Sequence, residues 1–140
     1  MQVFILGSPI DTAKLLDSKR FNKQIIEVRQ ILSALRGETV AWKNHPCTLQ
    51  YSDFRGWLEY YLRCFEEYKK GNYTLALSAS ILATEITPFF HTEDYINQMK
   101  RRLFTKDPKY YKQWEYLGFS EINWYFVDNE WRFYKNGKRI

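Results

Sequence analysis

The sequence has few of the residues that build disulfide scaffolds or metal centres. Its 140 residues include two cysteines, Cys47 and Cys64, and two histidines, His45 and His91. Two cysteines provide neither a disulfide framework nor a zinc cluster, and the histidines do not have metal-ligand spacing. The apolar start at 1–7 is too short to span a membrane and lacks the basic region of a signal peptide. We therefore expect a cytoplasmic protein that needs no metal, cofactor or membrane.

Aromatic side chains and positive charge are what the sequence has in quantity. It contains 11 Tyr, 10 Phe and 5 Trp residues. Its 21 Lys and Arg residues outnumber its 16 Asp and Glu residues, which gives a net charge of +5. Aromatic residues fill cores, and half-exposed Tyr and Trp also suit surfaces that stack against a partner. The positive charge favours polyanionic partners. With enough residues for one core and no repeat or linker, we expect a single domain over 1–140.

The chain reads as mainly α, with a change of pattern at its end. Start and stop signals predict helices over about 9–16, 18–36, 53–70 and 75–86, and a further helix that begins after Thr92. Residues 1–7 precede the first helix as an extended arm whose apolar side chains need cover. Residues 39–46 form a non-periodic connector, in which a lone His45 is more typical of a cap than of a catalyst. Two aromatic strands around Asp128-Asn129 predict a β-hairpin within 119–140.

The helix predicted at 18–36 has two distinct faces. Its apolar residues recur at steps of four and three, the period of a buried helical face: Phe21, Ile25, Val28, Leu32 and Leu35. At about 100° per residue, four polar residues fall within one arc off that stripe: Arg20, Lys23, Gln24 and Glu27. Periodicity by itself favours a solvated charged face, with a functional site as the alternative.

A second group of cations lies near the predicted end of the 92–106 segment. Six cations surround Tyr110 and Tyr111: Lys100, Arg101, Arg102, Lys106, Lys109 and Lys112. Cations at a helix C-terminus complement the helix dipole. Their alternation with aromatic rings equally suits a surface that faces phosphates, and both interpretations stay open.

Four short sequence elements occur in an order that is shared with a known family. They are Leu16-Asp17-x-Lys19-Arg20-x-x-Lys23-Gln24-x-x-Glu27-x-x-Gln30-Ile31-Leu32, Trp42-Lys43-Asn44-His45-Pro46, Tyr68-Lys69-Lys70-Gly71-Asn72-Tyr73 and Lys106-Asp107-Pro108-x-Tyr110-Tyr111. Together they resemble the pyrimidine-dimer DNA glycosylase family, whose members are small, mostly helical relatives of phage endonuclease V. The resemblance covers roughly 1–115 and implies a single-domain helical bundle of the endonuclease V type. It does not account for the terminal hairpin.

The resemblance also implies a chemistry. Enzymes of this family flip a nucleotide out of duplex DNA, cut the glycosidic bond of a damaged base and break the strand by β-elimination. The nucleophile is the chain's own α-amine, which attacks the sugar C1′, and a glutamate on the opening helix assists. Glu27 matches that glutamate. An α-amine has a pKa near 7.7–8.0, so an appreciable fraction is neutral and nucleophilic at pH 7.

The amino terminus departs from the phage pattern. Gln2 stands where the phage enzyme has a small residue, and its bulk disfavours removal of the initiator methionine. Three alternatives follow: Met1 supplies the amine, processing exposes Gln2, or the imine chemistry is absent. Val3 and Ile26 also replace arginines that lie beside the nucleophile and the glutamate in the phage enzyme.

The expected partner is double-stranded DNA that carries a damaged or modified base, bound by a monomer. The resemblance implies DNA contacts from Lys19, Arg20, Lys23, Gln24, Trp42, Lys43, Asn44, His45, Lys100, Arg101 and Lys106, with Glu27 and either Met1 or Gln2 as the catalytic groups. We therefore expect a DNA-repair glycosylase, with or without a lyase step. The alternative is a non-catalytic DNA-binding module on the same scaffold.

Overall fold

The computed structural model describes residues 1–140 and is mainly helical, with a small antiparallel sheet at the carboxyl end. The helices are α1 (Pro9–Leu15), α2 (Ser18–Leu35), α3 (Pro46–Gln50), α4 (Arg55–Lys69), α5 (Tyr73–Glu85) and α6 (Glu93–Lys106), followed by a 3-10 turn at Lys112–Trp114. The strands are β1 (Ile122–Val127), β2 (Glu130–Lys135) and β3 (Lys138–Arg139). The mainly α class is thus confirmed. No helix is both long enough and apolar enough to cross a bilayer.

The chain divides into two compact units, Met1–Pro88 and Phe89–Ile140. The first contains the arm and α1 to α5, and the second contains α6 and the sheet. That the whole chain acts as one domain stays a prediction.

The first two helices begin where the sequence predicts. The Ser8 side chain accepts a hydrogen bond from the Asp11 N–H, and Pro9 occupies the first helical position of α1. Asp17 caps α2 by accepting from the Arg20 N–H, and its carboxylate also pairs with the Arg20 guanidinium at 3.1 Å. These side chains satisfy N–H groups that the first helical turn leaves without partners.

The connector at 39–46 leads into a helix that the periodicity did not predict. α3 is five residues long, too short for an apolar period to be visible. It forms because Pro46 suits a first helical turn and because His45 Nδ1 accepts the Cys47 N–H at 3.1 Å. His45 is therefore a cap, as its position favours.

α4 begins at Arg55 rather than at Ser52-Asp53. The N–H groups of Ser52 and Phe54 bond to the carbonyls of Leu49 and Tyr51, at 3.2 and 2.9 Å, so the chain turns once before the helix starts. The predicted start at 52–53 is wrong by two to three residues, because the chain forms a turn at 51–53 and Phe54, with φ −126° and ψ 32°, lies outside the helical conformation.

Aromatic rings form the centre of the first unit. The Tyr61 ring stacks on Phe65 with centroids 4.5 Å apart, and Phe65 stacks on Phe21 at 5.0 Å. Four residues of the arm are also in this core, each at most 8% exposed: Val3, Phe4, Ile5 and Leu6. The arm therefore has the cover that its composition requires. Its far end is held where the Leu6 N–H donates to Thr12 Oγ1 at 3.0 Å.

α5 packs through small side chains. The buried residues of this helix are Ala76, Ala79, Ser80 and Ala83. Ser80 Oγ accepts the Ile10 N–H at 3.1 Å, which ties α1 to α5. The Ala- and Ser-rich composition thus allows the close approach that the sequence indicates.

The second unit contains the predicted hairpin. β1 pairs antiparallel with β2, and Trp124 lies opposite Phe133. Asp128 and Asn129 between them both have positive φ, 53° and 59°, the conformation of a type I′ hairpin turn. A second turn at Asn136-Gly137 adds β3, so the element is a three-stranded sheet rather than a hairpin alone.

Phe65→Ala should destabilise the protein by about 3–5 kcal/mol, since Phe65 is fully buried and its loss leaves a cavity between two rings. Urea unfolding followed by circular dichroism measures the change. Tyr116→Ala is the matched control, because that ring is 91% exposed and should shift stability by no more than about 0.5 kcal/mol. Equal losses in the two variants would contradict this account of the core.

Candidate active site

The arm is bound to one face of α2 through its backbone. The Gln2 nitrogen donates to Glu27 Oε2 at 2.9 Å. Gln24 Nε2 donates to the Gln2 carbonyl at 2.8 Å, and Gln24 Oε1 accepts the Phe4 N–H. Since Gln24 and Glu27 are three residues apart on one helix, their side chains are neighbours. Together they bind the N–H and carbonyl of Gln2 and the N–H of Phe4.

Gln24 does not lie on an open face, and that expectation from the helical arc is wrong. Its side chain is buried, with the residue 1% exposed. At about 100° per residue it lies only some 40° from Val28, at the edge of the apolar stripe. The arm covers this edge and uses the amide, which no pattern within α2 could indicate.

Glu27 lies at the border between the arm and solvent. Its side chain is 14% exposed, and its Oε1 is 3.7 Å from Lys23 Nζ, on a side chain that is 70% exposed. Lys19 is exposed on the same helix, whereas Arg20 is partly buried and paired with Asp17. Because the Lys23 side chain extends into solvent, its ion pair with Glu27 contributes little free energy.

Cys47 is a neighbour of the arm and of Glu27 that sequence reasoning missed. Burial raises the pKa of its thiol from 9.0 to about 12, while the amino-terminal charge and a hydrogen bond with the Val3 backbone lower this pKa and the Glu27 charge raises it. The thiol is thus near the α-ammonium, the arm and the carboxylate at once. The signal that could have found it is its place directly after the Trp-Lys-Asn-His-Pro element.

A cleft of about 530 Å³ borders α2 and the following loop. Its lining residues are Ile26, Arg29, Gln30, Ser33, Glu38, Thr39, Ala41 and Trp42. Trp42 is 44% exposed and lies in the turn at 41–44 with a φ of 66°, a left-handed backbone that is unusual for a bulky residue. Its ring meets the His45 ring edge-on at 5.7 Å, and Lys43 and Asn44 beside it are exposed.

The predicted DNA contacts at Lys100, Arg101 and Lys106 belong to the second unit. Arg101 Nη1 donates to the backbone carbonyls of Trp114 and Glu115. Lys100 Nζ lies 5.6 Å from the centre of the Trp114 ring, a cation–π distance. Lys106 is exposed. Arg101 and Lys100 therefore have contacts within their own unit, and the DNA contacts of all three stay a prediction.

The structure contains no cluster of three or more His, Cys, Asp or Glu side chains that could hold a metal ion. In the second unit, burial lowers the pKa of His91 to about 3, so this ring stays neutral. Its ring contacts Phe90 at 4.8 Å and Tyr95 at 6.1 Å, which indicates a structural role.

Comparison with known proteins shows the family to which the chain belongs. Residues 1–79, more than half of the chain, match the family described as pyrimidine dimer DNA glycosylase. The chain therefore belongs to this family of DNA-repair glycosylases, whose substrate is DNA with pyrimidine-dimer damage. No curated protein and no solved structure matches the chain. The match covers the arm, α2, Glu27 and the connector, and the family resemblance expected from the sequence is confirmed.

Cys47 should react with iodoacetamide at pH 8 at least a hundredfold more slowly than an ordinary thiol, because the thiolate is the reactive form and its pKa is raised to about 12. Peptide mass spectrometry after timed labelling measures the rate at this residue. Unfolding in urea should restore the rate. The folded thiol holds its proton more strongly, so its contribution to stability is complete below pH 9 and declines as the pH rises toward 12. Rapid labelling of the folded protein would contradict this environment.

Proposed function

We propose that this chain removes a damaged pyrimidine from duplex DNA with an α-amine of the arm as nucleophile and Glu27 as catalytic carboxylate, and that it then cuts the strand as a lyase. The observation that carries the proposal is the 2.9 Å hydrogen bond between the Gln2 nitrogen and Glu27. A nucleophile and a carboxylate within hydrogen-bond reach of each other are what an attack on C1′ with proton transfer requires. The helices of the first unit then form a bundle of the endonuclease V type.

The nitrogen beside Glu27 belongs to Gln2, which bears on the choice of amine. While Met1 is attached, this nitrogen is part of a peptide bond, and its lone pair is delocalised into the carbonyl. Attack from this position therefore requires removal of Met1, which turns the same nitrogen into a primary amine. We favour Gln2 over Met1 as the nucleophile for this reason. An amino-terminal glutamine can also cyclise, which would consume the amine.

The chemistry follows from these two groups. The neutral amine attacks C1′, the glycosidic bond breaks and its electron pair leaves with the base. Glu27 stabilises the positive charge that develops on the sugar and accepts the proton that the amine loses. The C1′–O4′ bond then opens with protonation of O4′ and gives an imine. Removal of a proton from C2′ breaks the bond to the 3′ phosphate.

DNA would approach the exposed side of Glu27. Lys19 and Lys23 on α2 and Lys43 on the loop are exposed cations that can bind phosphates. Trp42, with its exposed ring, can stack on an unpaired base, and the adjoining cleft of about 530 Å³ has room for one. Arg20 and His45 have partners within the protein, so in this proposal they support the surface while the lysines bind the strand.

Glu27→Gln should lower base excision at least about a hundredfold, because the amide neither accepts the proton nor stabilises the sugar cation. DNA affinity should change little, since the phosphate-binding lysines are intact. Gel-based excision on a cyclobutane-dimer oligonucleotide and anisotropy titration measure the two effects. Glu59→Gln, on α4, removes a carboxylate that pairs with Arg36 and Arg55 and should leave excision at the wild-type rate. Retained excision in Glu27→Gln would reject its assignment as the catalytic carboxylate.

Borohydride should trap a covalent adduct between the protein and DNA that contains an abasic site, because reduction fixes the imine. Mass spectrometry of the amino-terminal peptide identifies the attached residue, and we expect Gln2 without Met1. An adduct on Met1 would reject the choice of Gln2 but keep the imine step. Normal DNA binding with no adduct on any residue would remove the lyase step and favour a glycosylase that uses water.

A further inference from the structure

The Gln24 side chain pairs with the arm much as a neighbouring β-strand would. Its amide offers one acceptor and two donors. The acceptor takes the Phe4 N–H and a donor reaches the Gln2 carbonyl at 2.8 Å. In an extended chain, the polar groups of residues two apart point to the same side. A buried amide at this position therefore pairs with the polar groups of the arm in only one register.

Tyr61 supports this pairing from α4. Its hydroxyl lies 2.8 Å from the Phe4 carbonyl and 3.0 Å from Gln24 Oε1, so its single proton is shared between two acceptors. The residue is 1% exposed, and burial raises the pKa of the phenol well above its usual value. The hydroxyl thus stays a donor at every pH at which the protein would work. It fixes both the amide of Gln24 and the carbonyl of Phe4.

We infer that Gln24, supported by Tyr61, sets the register of the arm on α2 and so determines that the nitrogen of residue 2 meets Glu27. A slip of one residue would turn the polar groups of the arm to the opposite side. A slip of two residues would place either the Phe4 nitrogen or no nitrogen of the arm beside Glu27. The importance of this register for catalysis rests on the proposed function. Gln24 and Tyr61 are positioning residues and touch no reacting atom.

Gln24→Glu tests the inference through pH. A protonated carboxyl group keeps the amide's acceptor and one of its two donors, and burial favours this form. When the pH rises and the carboxyl ionises, it cannot donate to the Gln2 carbonyl and repels it. The ratio of the variant's trapping rate to the wild-type rate should therefore fall from near one at low pH by about a hundredfold at high pH, the loss expected from roughly 1 Å of misplacement.

Asn22→Asp is the matched control, since it makes the same amide-to-acid change at an exposed position of the same helix. The ratio of its trapping rate to the wild-type rate should not depend on pH. Tyr61→Phe is a second variant that keeps the ring and the fold but loses the hydroxyl. It should lower kcat about tenfold with KM for DNA unchanged, whereas Tyr60→Phe should behave as wild type.

Cys47 provides a measurement that needs no activity. Its thiol is shielded beside Val3 of the arm, so an arm that has lost its register should expose it. We expect iodoacetamide to label Cys47 at least about tenfold faster in Tyr61→Phe, and in Gln24→Glu at pH 8, than in wild type, with global unfolding midpoints used to correct for any loss of stability.

The outcomes separate this inference from the proposed function. If wild type forms no borohydride adduct, the imine step fails, and faster Cys47 labelling in the variants still supports a register set by Gln24 and Tyr61. If Cys47 labelling is unchanged in both variants, the inference is overturned whatever the activity. If labelling rises but trapping in both variants equals wild type at every pH, the register does not position the nucleophile and the inference is likewise overturned.

Discussion

A buried backbone must find hydrogen-bond partners, and the arm at 1–7 finds them on side chains rather than on a neighbouring strand. Gln24 and Glu27 from α2 and Tyr61 from α4 bind the polar groups of Gln2 and Phe4. An unpaired polar group in such a core would cost about 1–3 kcal/mol. The same contacts that satisfy this requirement bring a nitrogen of the arm to a carboxylate. Structure and proposed chemistry thus depend on one set of bonds.

The residues around these hydrogen bonds are buried on one side and exposed to solvent on the other. Burial raises the pKa values of Tyr61 and Cys47, so these groups remain neutral beside the arm. Glu27 lies at the edge of that region, 14% exposed, with Lys23 extending into solvent. A carboxylate that is partly withdrawn from water acts more strongly on a nearby developing charge than an exposed one. In the proposed function, this border position serves both contact with DNA and electrostatic stabilisation of the sugar.

What the sequence predicts correctly is mostly local. Ser8 and Asp17 cap helices through bonds to residues three positions on, so their pattern is visible in a short window. The pattern of α2 predicts an exposed Gln24, whereas this side chain is buried because it is covered by an arm 20 residues away. Arg101 resembles an ordinary basic residue at a helix end, whereas its partners are carbonyls 13 and 14 residues later. Glu27 is singled out by the family resemblance alone, because periodicity does not distinguish it from any other exposed acid, and its catalytic role stays a prediction.

The peptide group between Met1 and Gln2 has a practical consequence for handling the protein. In the proposed function, the Gln2 nitrogen that donates to Glu27 is the nucleophile, so whatever is joined ahead of it lies where the sugar would be attacked. On that proposal, a purification tag at the amino end would keep this nitrogen in an amide bond and so withhold the nucleophile. A tag joined after Ile140 leaves the amino end unmodified.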